Sequence, residues 1–114
     1  VVVAYLARIA AYDAQGPRIE AIVALNPSAL DEARALDRAR ASGQWRGPLH
    51  GIPVVLKDNI DAAGLATTAG SQLLAANRAS GDARVVARLR QAGAIVLAKV
   101  NMSEFAGSGG STSG

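Results

Sequence analysis

Cysteine is absent from all 114 residues, which removes disulfides and thiolate metal sites and is compatible with a cytoplasmic protein, the location we expect. Histidine occurs once, at His50, with no carboxylate pair at ligand-like spacing. No zinc or iron centre, and no cofactor, is therefore expected. Aromatic residues number only four, so any core rests on alanine, valine and other small side chains rather than large packing anchors. No apolar run is long enough to cross a bilayer. The opening Val1-Val2-Val3-Ala4-Tyr5-Leu6 meets Arg8 and Asp13 too soon, lacks a signal-peptide charge pattern and has no initiator Met, so the start reads as cut and no membrane partner is expected.

The charge that is present is spread out. Ten arginines and two lysines against nine acids leave a net charge of +3. Arg34, Arg38, Arg40, Arg84, Arg88 and Arg90 fall in helical patterns beside acids or on a polar face. Without a basic run interleaved with aromatics, this pattern is a solvated surface and not a nucleic-acid interface. The length fits one domain, whose folding would bury roughly two-thirds of the extended surface.

Apolar spacing sets out an alternation of helices and strands. Val2, Leu6, Ile9 and Ala10 predict a leading helix within residues 1–18 that Gly16-Pro17 ends. Ile19 to Leu25 is short and β-branched, and Asn26-Pro27 can cap and open a helix to Ser42 with Leu30, Ala33 and Leu36 on its inner face, closed by Gly43. A loop at 45–51, held down by Trp45 and with His50 in a turn role, launches a second strand at 52–56. Asp82 is placed to cap a helix to Ala92 with Val85, Val86 and Leu89 facing in, and Gly93 ends it. The apolar run 94–98 then reads as a strand buried on both faces, completing a strand, crossover helix, strand unit. After a short turn around 102–105, residues 107–114 form a Gly/Ser-rich loop or tail without Walker spacing.

Lys57 stands at the end of the run Ile52-Pro53-Val54-Val55-Leu56. An ammonium delivered into low dielectric loses solvation, so its neutral amine becomes available for proton abstraction or nucleophilic attack. From position alone, a lysine capping a strand more often simply extends its head group into water.

Four blocks settle the weight between those readings. They are Gly47-Pro48-Leu49-His50-Gly51-Ile52-Pro53-Val54-Val55-Leu56-Lys57-Asp58-Asn59-Ile60, Thr67-Thr68-Ala69-Gly70-Ser71, Asp82-Ala83, and Gly93-Ala94-Ile95-Val96-Leu97-Ala98-Lys99-Val100-Asn101-Met102-Ser103-Glu104-Phe105-Ala106. In this order they resemble the amino-terminal part of the amidase signature family, over roughly residues 19–114. The resemblance implies an α/β fold, here a partial amidase signature fold with helices flanking a mixed sheet, and residues 1–114 as the amino-terminal part of one such domain. It also implies hydrolysis of a carbon–nitrogen amide bond in a small-molecule substrate by a Ser, cis-Ser, Lys triad. The motif lysine matches Lys57, which would draw a proton through the bridging serine from the nucleophilic serine.

Both family serines lie in or just before a Gly-Gly-Ser-Ser-Gly-Gly type signature expected beyond residue 114, so the chain alone is expected to be inactive. Ser111 and Ser113 follow the Asn-Met-Ser-Glu-Phe-Ala block directly and are not assigned as nucleophiles. Gly107, Ser108, Gly109 and Ser111 are assigned instead to the substrate-pocket wall by the resemblance. Asp58 and Asn59 are expected to fix the turn after the strand. Lys99 has no catalytic counterpart in the motif and is expected to be solvated or paired with an acid such as Glu104. Two alternatives stay open: the glutamine-hydrolysing A-subunit of a glutamyl-tRNA(Gln) amidotransferase, with its partner subunits, and a non-catalytic interaction module. A homodimer is also left open.

Overall fold

A computed structural model describes residues 1–106. Its elements follow the expected alternation: α1 Val2–Tyr12, β1 Ile22–Leu25, α2 Ala29–Ala41, β2 Pro53–Lys57, α3 Arg84–Gln91 and β3 Ile95–Val100, with short 3₁₀ turns at Gln72–Leu74 and Glu104–Ala106. The three strands form one mixed sheet in the order β1-β3-β2. β2 and β3 run parallel, joined through α3, whereas β1 lies antiparallel on the other side of β3. Among the described residues no helix is long and apolar enough to cross a membrane.

Helices cover both faces, and β3 supplies the residues under each. Ile95 and Leu97 bury against Val2 of α1 and Ala29 and Leu36 of α2, with Leu6, Ile9 and Ala33 alongside. Val96, on the opposite side of the strand, packs with Leu56 of β2, Val86 of α3, and Ala62 and Leu65 from the β2–α3 connection. This division follows from the side-chain alternation of a strand covered on both faces, which is why residues 94–98 read as a continuous apolar run.

A bulge interrupts that alternation. The β2–β3 register runs Pro53–Ile95 and Val54–Val96, then steps to Val55–Ala98, Leu56–Lys99 and Lys57–Val100, so Leu97 has no opposite number on β2. An extra residue inverts which face the following side chains occupy. Without it Lys99 would share the face of Ile95 and Leu97; with it Lys99 stands opposite Leu56, on the α3 side.

Loops are pinned by polar groups. The Asp13 carboxylate, just after α1, accepts from the backbone N–H of Ala21 at 2.7 Å and of Ile22 at 3.3 Å, fixing the start of β1. Asn26 holds the entry to α2 by accepting from Ser28 N–H at 3.0 Å while its amide donates to the Val96 carbonyl at 2.8 Å. Gly93 ends α3 at φ +97°, and a Cβ there would lie 2.6 Å from the Cα of His50, so only glycine lets this turn meet the 47–51 loop.

Three local expectations change. Asp82 does not cap α3: its carboxylate accepts from Ala63 N–H at 2.8 Å and pairs with Arg90 Nε at 3.0 Å, the ion pair outcompeting a local cap. Val85 is 52% exposed while Val86 is fully buried, because α3 lies on the sheet along a narrower stripe than three apolar positions suggested. Trp45 does not pack its loop down. It is 65% exposed, and its ring lies tilted against that of His50 in the same loop, at a centroid separation of 5.1 Å.

Candidate active site

β2 carries its buried and exposed side chains in strict alternation at its end: Leu56 and Asp58 are buried, Val55 and Lys57 exposed. Lys57 belongs to the strand itself, opposite Val100. Its carbonyl accepts from Ile60 N–H at 3.0 Å, and the next residue is held by Asp58 N–H to Val100 O at 3.0 Å and Ala69 N–H to Asp58 O at 3.0 Å. The backbone on either side of the lysine is therefore fixed, while its ammonium is exposed and has no partner among the described residues.

The lysine kept out of water is Lys99, not Lys57. Lys99 and Asp58 are both 0% exposed. The Lys99 ammonium donates to Asp58 Oδ1 at 3.2 Å, Ala66 O at 2.9 Å and Thr67 Oγ1 at 3.3 Å, which accounts for all three of its protons. The Thr68 hydroxyl donates to the other carboxylate oxygen of Asp58. This corrects two expectations together. Asp58 reaches across the sheet instead of bonding its own turn, and the acid that pairs with Lys99 is Asp58 rather than Glu104. The bulge in β3 is the cause, since it aims Lys99 at the face on which Asp58 is buried.

The Thr67-Thr68-Ala69-Gly70-Ser71 block folds over this pair. Ala69 and Gly70 both take left-handed backbone angles, φ +50° and +73°. A Cβ on Gly70 would stand 2.6 Å from Met102 O, so the block lies directly against the chain leaving β3. Phe105 N–H donates to Ala69 O at 2.7 Å across the same contact. The hydroxyls of Thr67 and Thr68 are contacts to this pair that sequence reasoning missed; the block was visible in the sequence, the direction of its side chains was not.

His50 performs the turn role expected of it. Its Nδ1 accepts from Arg46 N–H at 3.0 Å, so Nε2 carries the proton and donates to Leu36 O of α2 at 2.8 Å. With Trp45, Leu36 and Arg90 it lines a cleft of about 400 Å³ that does not include Lys57. Among the described residues no cluster of histidines and carboxylates could hold a metal ion. The pocket-wall residues Gly107, Ser108, Gly109 and Ser111, and the unassigned Ser113, lie outside the described residues.

Comparison with known proteins gives the chain its family. The Amidase family model matches residues 1–114. The chain belongs to the amidase family. It is 57% identical to the native peptide amidase from Stenotrophomonas maltophilia, superposing with a TM-score of 0.87 over 91% of this chain and 21% of that one. It is also 47% identical over 104 residues to the A-subunit of the glutamyl-tRNA(Gln) amidotransferase of Salinispora arenicola, covering 90% of this chain and 21% of that protein. A putative amidase of Arthroderma benhamiae is 40% identical over 107 residues, covering 93% of this chain and 18% of that protein. This amidase chain thus spans about a fifth of the length of the curated relatives it matches.

Proposed function

We propose that this chain is the base-bearing amino-terminal part of a single-domain amidase that hydrolyses a carbon–nitrogen amide bond in a small-molecule substrate, with Lys57 as the base. The observation that carries the reading is the presentation of Lys57: its backbone is held on both sides, and its unpaired amine projects from the sheet face opposite the buried Asp58–Lys99 pair. A general base must be fixed in direction yet free to accept a proton, and a serine hydroxyl needs such a base to become a nucleophile.

Expression of the complete enzyme and measurement of ammonia or amine release from simple amides and peptide amides tests the reading. Lys57→Met is expected to lower kcat by about 10²–10⁴-fold, the range of a positioned acid–base group. Full turnover by a folded Lys57→Met enzyme would overturn it. Similarity to the amidotransferase A-subunit supports a second reading, in which glutamine is the amide and partner subunits receive the ammonia. Glutamine hydrolysis that rises when such subunits are added distinguishes it from a free-standing amidase acting alone or as a homodimer. Persistent absence of any amide hydrolysis would favour the interaction module.

A further inference from the structure

Beside Lys57 the chain carries a second, more elaborate lysine site to which no catalytic part has been given. Burying two charges is costly unless every proton and lone pair finds a partner. Here the cost is met in full on the ammonium side, at three acceptors that lie 32 to 41 residues from Lys99 in sequence. Such a pair adds little stability over an apolar replacement, so its arrangement points to geometry or charge rather than to holding the fold together. Its location favours the same view. Asp58 directly follows Lys57, and Lys99 directly precedes Val100, the residue opposite Lys57.

We infer that the Asp58–Lys99 pair is a positioning device for Lys57, an inference that rests on the reading of Lys57 as the base. It acts in two ways. The side chain of Asp58, bonded to Lys99 and Thr68, prevents rotation of the strand end and so sets the direction of the neighbouring Lys57 Cα–Cβ bond. Each charge of the pair also cancels the other. The base consequently has neither an uncompensated cation nor an uncompensated anion behind it. Asp58 and Lys99 are thus positioning residues, and Thr67, Thr68 and the Ala66 carbonyl complete their shell.

The test uses the complete enzyme and follows kcat, KM and the pH profile of kcat/KM for Lys99→Met, Asp58→Asn, Thr68→Val and Lys57→Met, normalised to folded enzyme. Lys99→Met leaves an anion adjacent to the base and is expected to move the acid limb of the profile to higher pH. Asp58→Asn leaves a cation and is expected to move it to lower pH. In both, kcat falls by about 10²-fold, the cost of misplacing a reacting group by about 1 Å, while KM changes little. A purely structural pair would reduce the amount of active enzyme without shifting the limb in opposite directions. Thr68→Val removes one Asp58 contact and no charge. Should the charge variants fail to fold, it alone decides the matter: a lowered kcat at unchanged KM supports the inference, and wild-type kcat overturns it. Folded Lys99→Met and Asp58→Asn enzymes with an unmoved acid limb and wild-type kcat overturn it as well. If those variants behave normally while Lys57→Met is inactive, the positioning role fails and Lys57 remains the base. If Lys57→Met is fully active, the reading of the base itself fails.

Discussion

Removing one member of the buried pair tests how the interior of this sheet tolerates charge. Lys99→Met strips the donor from Asp58 Oδ1, Ala66 O and Thr67 Oγ1 at once and leaves a carboxylate at zero exposure. Breaking a buried pair in this way costs about 3–5 kcal/mol, against a total folding stability of about 5–15 kcal/mol. The double change Lys99→Met with Asp58→Leu removes both charges and leaves only neutral groups short of a partner, the Ala66 carbonyl and the half-buried Thr67 and Thr68 hydroxyls, of which the carbonyl costs about 1–3 kcal/mol. The two changes should therefore be strongly non-additive, the double variant being more stable than Lys99→Met alone. Equilibrium urea unfolding of the complete enzyme, completed as a double-mutant cycle, gives the coupling. Additive losses, or a Lys99→Met deficit below about 1 kcal/mol at neutral pH, would refute the reasoning, because the first is incompatible with a closed pair and the second with its burial.

Two further outcomes follow from packing. Val86→Ala empties a fully buried site between α3 and the sheet and should cost about 2–3 kcal/mol, whereas Val85→Ala, half-exposed one residue earlier, should stay within about 0.5 kcal/mol; parallel urea melts compare them. The segment comprising residues 1–114 alone should bind a hydrophobic dye and melt without a sharp transition, since Leu25 and Val55, paired on either side of the buried Ala98, stay half-exposed; a cooperative monomeric melt contradicts this.

The apolar rhythm of the sequence was enough to place every helix and strand within a few residues, because α1, α2 and β3 each bury one stripe or run that local spacing reveals. The family was legible from another source, the resemblance carried by the motif blocks around Lys57 and Lys99, which occur in order. The rhythm could not tell the two lysines apart in environment. Both end an apolar strand, and what separates them is the unpaired Leu97, a property of how two distant strands align. The partner of Lys99 was missed for the same reason: Asp58 is 41 residues away, whereas Glu104 was close in sequence. Asp82 fails as a cap because Arg90, one face of α3 further on, offers an opposite charge at 3.0 Å. Contacts of this kind depend on tertiary closeness and leave no periodic trace.

The strand order has a consequence for the birth of the chain. Among the described residues β1 and β2 are not hydrogen-bonded to one another; each pairs with β3, the last of the three to be synthesised. A nascent polypeptide leaving the ribosome therefore holds two solitary strands and their helices until residues 95–100 emerge to join them. Sheet assembly waits on that one segment, and until it arrives the emerging chain is exposed to mispairing and to chaperones.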